Sequence, residues 1–322
     1  MLNLKTSTEN LNTSDLAALF GTVAARLAGS TGRLVETADW RFRIIEGGER
    51  DQLILSVLNR IHSPELRSAG SDRENDWEDG WRENLVDFVQ SDYDVGKLMP
   101  KYYKANVPIR LNKQYVLPLE PDFLYRYTQV FRSWIFHEYL GGYDAIYEFG
   151  CGTAHNLVHL AAIYPEKELY GFDWVRSSQE IIQILADRLK LKIRGRPFNF
   201  FDPDDSLHFH PKSAVFTFGA LEQVGADHGK YLDFILRKRP SLCIDIVGIH
   251  ELYDETHLLD YLALLYHRKR NYLQGYLSRL RELEAAGKIE IVGVHRQLFG
   301  NLFDDPYSYV IWKPGESEGE KQ

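Results

Sequence analysis

The chain is poor in cysteine and methionine and contains no long apolar run. Its 322 residues include only two cysteines, Cys151 and Cys243, and two methionines. Two isolated thiols cannot build a disulfide framework, so we expect a reducing compartment and a cytoplasmic protein. No apolar stretch approaches the ~20 residues that a membrane-spanning helix needs. The polar residues 1–15 lack the hydrophobic core of a signal peptide. The sequence therefore predicts no membrane partner.

The chain also lacks an excess of basic residues. Its 46 acidic residues outnumber 38 basic ones and give a formal net charge of −8. Surfaces that bind nucleic acid are usually basic, so this balance argues against nucleic acid as a partner. Hydrophobic residues make up 44% of the chain and aromatic residues 13%, which is enough for a packed core and excludes global disorder.

The spacing of apolar residues changes near residue 140. Before that point it predicts helices, with an exposed connection at 63–79 and short strands or a loop at 33–45. We therefore expect residues 1–120 to form a mostly helical N-terminal extension. Its segment 101–118 is aromatic and basic, and is a candidate lid or a packed linker. The helices are predicted at 15–28, 50–61, 81–89 and 121–140.

After residue 142, short apolar runs alternate with helical segments, as is typical of a parallel α/β sheet. Runs at 288–295 and 307–312 have no room for a helix between them, which predicts an antiparallel hairpin. This α/β domain spans 121–314, and we expect the acidic tail at 315–322 to be disordered. The other strands are predicted at 145–149, 168–172, 196–201, 214–218 and 241–249, and the helices at 155–164, 177–190, 230–237 and 255–286.

A glycine-rich turn, IYEFGCGTAHN at 146–156, joins the first predicted strand to a helix. Gly150 and Gly152 permit a tight turn and close approach of a ligand to the backbone. Glu148 stands at the carboxyl end of the strand, the edge where open α/β sheets bind ligands. Asp173 ends the second strand 25 residues later, near the ~20-residue spacing of a carboxylate that binds ribose hydroxyls. The charge of Glu148 suits a cationic ligand better than a pyrophosphate.

The run Glu-Phe-Gly-Cys-Gly-Thr resembles motif I of the class I S-adenosylmethionine (SAM)-dependent methyltransferases. The resemblance covers 144–313 and implies a seven-stranded Rossmann-like sheet with an antiparallel terminal strand, and SAM as the cofactor. In that family the acid matching Asp173 binds the ribose diol, and the motif I loop faces the methionine part. Trp174 resembles the residue that covers adenine. The implied cofactor-binding residues are Glu148, Gly150, Gly152, Thr153, Asn156, Asp173, Trp174, Phe201, Asp202 and Gly219.

Acidic and imidazole side chains follow the fourth and fifth strands of this sheet, where a methyl acceptor would be held. A hydroxyl or ammonium acceptor must lose a proton to a base. Glu222, His250 and Glu251 are therefore the candidate catalytic residues, each with a capping or structural role as its alternative. A divalent metal on His250 with Glu222, Glu251 or His267 is a further alternative. The candidate substrate-binding residues are Tyr102, Tyr103, Arg110, Tyr266 and Arg270.

These observations predict an enzyme that transfers the methyl group of SAM to a hydroxyl or amine of a small polar metabolite, a sugar derivative or a natural product. The segments TFGALEQVG and HELYDE resemble, more weakly, those of bacterial methyltransferases that tailor sugars and natural products. Two alternatives stay open. One is a NAD-dependent oxidoreductase, and the other is a non-catalytic SAM-binding subunit of a larger complex.

Overall fold

The computed structural model describes residues 8–315, which form two sheets flanked by helices. Most of the tail that is predicted to be disordered lies outside these residues. The strands are β1 (Thr8–Asn10), β2 (Arg41–Ile44), β3 (Ile109–Leu111), β4 (Gln114–Pro118), β5 (Ala145–Phe149), β6 (Glu168–Asp173), β7 (Ile193–Pro197), β8 (Ser213–Phe218), β9 (Leu242–Ile246), β10 (Ile289–His295), β11 (Phe299–Gly300) and β12 (Tyr309–Pro314).

Ten α-helices accompany these strands within residues 8–315. They are α1 (Thr13–Phe20), α2 (Gly29–Glu36), α3 (Gly47–His62), α4 (Glu74–Gln90), α5 (Phe123–Tyr139), α6 (His155–Ile163), α7 (Arg176–Arg188), α8 (Gly229–Lys238), α9 (Leu258–Arg270) and α10 (Tyr276–Ala285). No helix in this part of the chain combines the length and apolarity needed to cross a membrane.

The large sheet has seven strands in the order β10-β12-β9-β8-β5-β6-β7. Neighbouring strands from β9 to β7 are parallel, and β12 runs antiparallel to both β9 and β10. All five residues of β5 are buried, as expected of a central strand covered by helices on both faces. This arrangement confirms the predicted Rossmann-like fold and its antiparallel terminal strand.

The third strand of this sheet ends earlier than predicted. It stops at Pro197, whereas the sequence predicts 196–201, because the following phenylalanines leave the sheet. Phe198 and Phe200 turn instead into an aromatic cluster around Phe149 and Tyr231, with ring centroids 4.5 Å apart for Phe149 and Phe198 and 5.0 Å apart for Phe200 and Tyr231. The departure brings their rings to the carboxyl edge of the sheet.

A second sheet, in the order β1-β2-β4-β3-β11, joins the N-terminal extension to the rest of the chain. The extension is thus less purely helical than predicted, since it supplies four of these five strands. Segment 101–118 includes the β3–β4 hairpin, whose two turn residues Asn112 and Lys113 both have positive φ, as a tight hairpin turn requires. The fifth strand, β11, comes from the loop between β10 and β12.

Several helices differ in extent from the prediction. Helix α4 begins at Glu74, inside the segment predicted as an exposed connection. Helix α1 ends at Phe20 because Gly21 adopts the left-handed conformation. The helix predicted over 255–286 is two helices, since Asn271 and Gly275 both have positive φ between them. Gly21 and Asn271 thus end α1 and α9 although the apolar periodicity continues beyond them.

The packed core is continuous across residue 120. Phe20 of α1 packs against three rings of α5, with centroid distances of 5.2 Å to Tyr127, 5.4 Å to Phe131 and 5.7 Å to Trp134. These rings belong to the same buried cluster as Ile146 of the large sheet. The predicted domain boundary therefore runs through shared packing.

Candidate active site

A glycine turn at the carboxyl end of β5 forms the floor of the site. Gly150, Gly152 and Ala154 all have positive φ between β5 and α6. A Cβ atom on Gly150 would lie 2.2 Å from the Cβ of Ala220, so no other residue fits there without moving the loop after β8. The turn and that loop therefore approach each other closely at the carboxyl edge of the sheet.

Glu148 lies buried directly before this turn, as the sequence predicts. Its Oε1 accepts a hydrogen bond from Asn156 Nδ2 at 2.7 Å, and Arg132 of α5 donates to Asn156 Oδ1 at 3.0 Å. Its Oε2 is buried without a partner among residues 8–315. Burial raises the pKa of Glu148 to about 8. A buried carboxylate with one free oxygen stabilises a bound cation that can donate to it.

Asp173 lies at the end of β6, beside the glycine turn. Its carboxylate accepts from the backbone N–H of Gly152 at 2.7 Å and of Val175 at 3.2 Å. Burial raises its pKa to about 6. These two bonds fix the carboxylate against the turn and leave acceptor capacity for hydroxyls, because each carboxylate oxygen can accept more than one hydrogen bond.

A narrow aromatic slot of about 60 Å³ opens between the turn and Asp173. The predicted residues Trp174 and Phe201 line it, and so do Gly150 and Gly219. Asp202 is exposed and lies outside the slot. The sequence did not single out four further aromatic residues that line the slot, which are Trp77, Trp81, Phe198 and Phe200.

Helix α4 of the N-terminal extension covers the slot. A Cβ atom on Gly152 would lie 3.0 Å from the indole ring of Trp81, and the Trp77 and Trp81 rings lie 5.5 Å apart. The hydroxyl of Thr153 donates to the carbonyl of Leu98, just beyond α4, at 2.5 Å. Thr153 therefore ties the glycine turn to its cover. The signal for this cover was the pair of tryptophans four residues apart, which lie on one face of a helix.

A larger chamber of about 480 Å³ adjoins the slot. Trp77, Gly219 and Gln223 line both, so a ligand in the slot lies next to a ligand in the chamber. The predicted residues Tyr102, Tyr103, Tyr266 and Glu222 come together in its wall, although they lie far apart in the sequence. Segment 101–118 thus borders the chamber, whereas α4 covers the slot.

Glu222 follows β8 and is half-buried in the chamber wall. Its Oε1 accepts from Gln223 Nε2 at 3.3 Å, and its Oε2 is buried without a partner in the described part of the chain. Burial raises its pKa to about 7. A carboxylate with this pKa can accept a proton at neutral pH, which is what the predicted base requires.

Arg110 does not reach the chamber, which corrects its prediction as a substrate-binding residue. It is only 1% exposed, and its guanidinium donates to Asp305 at 2.8 Å, to Asp260 at 2.9 Å and to the carbonyl of Leu259 at 2.5 Å. Arg296 donates to the same two carboxylates. Arg110 is therefore a structural cation at the joint between β3, α9 and the loop before β12.

The other predicted residues lie behind the chamber wall. His250 lines neither cavity, and its ring lies 6.3 Å from that of His267. Glu251 accepts from the backbone N–H of Ser278 at 3.1 Å and so caps the first turn of α10. Arg270 donates to the hydroxyl of Tyr272, a chamber residue, at 3.1 Å. Their placement gives all three a supporting role rather than contact with an acceptor.

The metal alternative has no matching site in residues 8–315. No group of three or more His, Cys, Asp or Glu side chains there could hold a metal ion. His267, one of the proposed ligands, instead pairs its Nε2 with Asp304 at 3.0 Å. Asp304 lines the chamber, and no pattern in the sequence points to it, because it lies in the loop before β12.

Comparison with known proteins gives likenesses of structure alone. No family model and no curated protein matches the sequence. A geranyl diphosphate C-methyltransferase from Streptomyces coelicolor A3(2) is 11% identical, with 79% of this chain and 99% of that one covered and a TM-score of 0.45. An O-methyltransferase from neocarzinostatin biosynthesis is 13% identical, with 74% and 69% covered and a TM-score of 0.40. The plantazolicin methyltransferase is 12% identical, with 58% and 81% covered and a TM-score of 0.37. At this level the likenesses assign no activity to the chain.

Proposed function

We propose that this chain is a SAM-dependent methyltransferase that acts on a small molecule. The observation that carries the proposal is Glu148, a buried carboxyl group with one oxygen that has no partner within residues 8–315, next to a glycine turn and one strand from Asp173. SAM carries an ammonium and a sulfonium group, and it supplies an electrophilic methyl group. A bound cation stabilises the charged form of Glu148 and is stabilised by it, whereas a pyrophosphate at the turn leaves Glu148 protonated and gains no favourable charge contact from it.

The residues of the slot fit SAM by their chemistry. Asp173 lines the slot and would hold the ribose hydroxyls. Glu148 is buried just before the glycine turn and outside the lining of the slot, and it would hold the ammonium at that turn. Trp174 and Phe201 offer aromatic faces for adenine, since aromatic rings stack on one another. Trp81 would close the slot over the cofactor and exclude water.

Glu222 is positioned to prepare the acceptor. It lies where the slot meets the chamber, and its free Oε2 can accept a proton from a hydroxyl or an ammonium group. Proton removal exposes the lone pair that forms the new bond, and confinement in the chamber aligns that lone pair with the methyl carbon. The chamber also argues for an enzyme over a non-catalytic SAM-binding subunit, which would have no use for a second cavity there.

Turnover of SAM with a mixture of small acceptors tests this proposal. We expect S-adenosylhomocysteine (SAH) to form with wild-type protein and at least tenfold more slowly with Glu222→Gln, as removal of a general base costs ~10²–10⁴-fold in favourable cases. Glu251→Gln is the matched control, because Glu251 faces α10, and it should keep wild-type turnover. SAH formation that is equal in the Glu222→Gln variant would contradict the assignment of the base.

A further inference from the structure

Two neighbouring residues of the chamber wall, Glu222 and Gln223, each hold an oxygen without a partner among the described residues. Gln223 donates its Nε2 to Glu222 Oε1, and this bond fixes the orientation of the amide. It leaves two acceptor atoms, Glu222 Oε2 and Gln223 Oε1, buried without a partner among the described residues. Buried acceptors without partners are costly, so a ligand that binds there should supply hydrogen-bond donors to both.

Two unpaired acceptors favour an amine over a hydroxyl. A hydroxyl group has one hydrogen to donate and can satisfy only one of the two oxygens. A primary amine has two hydrogens when neutral and three when protonated, so it can bond to both. The carboxylate of Glu222 adds a charge-assisted bond to the protonated form. Asp304, which also lines the chamber, contributes negative charge, and Lys104 in the same wall contributes positive charge.

Eight of the other 18 residues that line the chamber are aromatic. Tyr266 stacks on Phe303 with ring centroids 4.9 Å apart, and the rings of Tyr102 and Tyr103 lie 4.8 Å apart. The hydroxyl oxygen of Tyr272 already accepts a hydrogen bond from Arg270. Ring faces bind apolar and aromatic groups, and they attract cations through their quadrupole.

We propose that the acceptor is a primary amine attached to an aromatic body, with its nitrogen bound between Glu222 Oε2 and Gln223 Oε1. This inference rests on the proposed function and narrows the expected acceptor, since it excludes a hydroxyl group and a sugar skeleton. Glu222 takes one proton from the ammonium. The nitrogen lone pair then forms the bond to the methyl carbon, while the carbon–sulfur bond breaks with its electron pair left on sulfur. The proton leaves Glu222 for solvent, and the product is a methylated ammonium.

Calorimetric binding of three probes to SAH-loaded protein tests the inference without turnover. The probes are 2-phenylethylamine, 2-phenylethanol and D-glucosamine, which separate the amine from the aromatic body. We expect the phenylethylamine to bind at least about tenfold more tightly than either of the others, since one charge-assisted hydrogen bond accounts for such a factor. Equal affinity for the alcohol would overturn the amine, and equal affinity for glucosamine would overturn the aromatic body.

Two variants locate the amine at the proposed point. Glu222→Gln should weaken phenylethylamine binding about tenfold or more and leave the affinity for SAH within twofold of wild type. Gln223→Leu, at a residue that also lines the slot, should weaken phenylethylamine binding by a similar factor in protein saturated with SAH. Glu290→Gln, an exposed residue of β10, is the matched control and should change neither. Unchanged amine binding in both cavity variants would overturn the inference. If wild-type protein fails to bind SAH, both the proposed function and this inference are contradicted. If it binds SAH but not the amine, only this inference is contradicted.

Discussion

Glu148 shows how a single carboxylate couples stability to ligand binding. Its burial favours the protonated form, which raises its pKa from the usual 4.5 to about 8. The native state therefore binds this proton more tightly than the unfolded state does. The contribution to stability is fully present below pH 4.5 and is lost as the pH rises towards 8. A bound ammonium group would stabilise the charged form of Glu148 and would therefore lower its pKa.

The first prediction follows from the loss of stability that the raised pKa of Glu148 causes as the pH increases. Glu148→Gln cannot titrate, so its free energy of unfolding relative to wild type should rise by on the order of a few kcal/mol between pH 5 and pH 8. Urea unfolding of both proteins at pH 5, 6.5 and 8 measures the difference. The same difference at all three pH values would show that Glu148 does not titrate in this range.

The second prediction concerns Arg110. Although burial raises the pKa of Asp260, its bonds to Arg296 and Arg110 lower that pKa to about 2, so the carboxylate stays charged. Arg110→Met would leave Asp260 and Asp305 with too little positive charge and should cost about 3–5 kcal/mol of stability. Urea unfolding at pH 7 measures this cost. Arg26→Met, whose side chain is 63% exposed, is the control and should cost under ~1 kcal/mol. An equally small cost for Arg110→Met would contradict its structural role.

Residues at strand ends could be predicted from the sequence, and residues brought in by packing could not. Glu148 and Asp173 lie at the carboxyl ends of β5 and β6, so their place at the carboxyl edge is set by the local pattern. Trp77 and Trp81 reach the same slot only because α4 packs over the sheet. Arg110 was misassigned for the same reason, since no local pattern distinguishes a buried ion pair from a ligand-binding arginine.

At the scale of elements, α4 is the part of the N-terminal extension that completes the cofactor slot. The backbone N–H of Ser177, at the start of α7, donates to Glu78 of α4 at 2.9 Å, which holds the helix next to β6. The sequence predicted a helix only from residue 81, because the charges at 72–79 mask the apolar spacing of Trp77 and Trp81. The sequence instead predicts a lid in segment 101–118, which in the structure borders the chamber.

The third prediction tests this cover. Trp81→Ala should weaken SAH binding about tenfold, because it removes an aromatic face from the slot and admits water. Trp81→Phe should retain most of the affinity. Calorimetry with SAH measures both, and Val86→Ala, an exposed position on the same helix, is the control. Affinity that survives in Trp81→Ala would mean that α4 does not close over the ligand.

At the scale of the whole molecule, the N-terminal extension and the large sheet share one core. Phe20 of α1 is fully buried among rings of α5, and β11 of the C-terminal half pairs with β3. The apolar content of the chain predicted a packed core, but the sequence could not show that two regions with different spacing share it. Packing between distant segments depends on complementary surfaces, which single-chain patterns do not encode.

The fourth prediction tests this shared core. Phe20→Ala should lower the free energy of unfolding by about 3–5 kcal/mol. The variant should still unfold in a single transition, with the same urea midpoint by circular dichroism and by tryptophan fluorescence. Val23 is 63% exposed, so the control substitution Val23→Ala should change the free energy of unfolding little. Two separate transitions in the Phe20→Ala variant would show that the extension and the sheet are independent units.

Equilibrium binding of SAH and of NAD⁺ to the wild-type protein tests the central claim most directly. We expect SAH to bind in the micromolar range with one site per chain, and NAD⁺ to bind at least a hundredfold more weakly, because Glu148 can become charged beside the ammonium group of SAH but gives a pyrophosphate at the glycine turn no favourable charge contact. NAD⁺ binding as tight as that of SAH, or no SAH binding at millimolar concentration, would contradict the assignment of the slot.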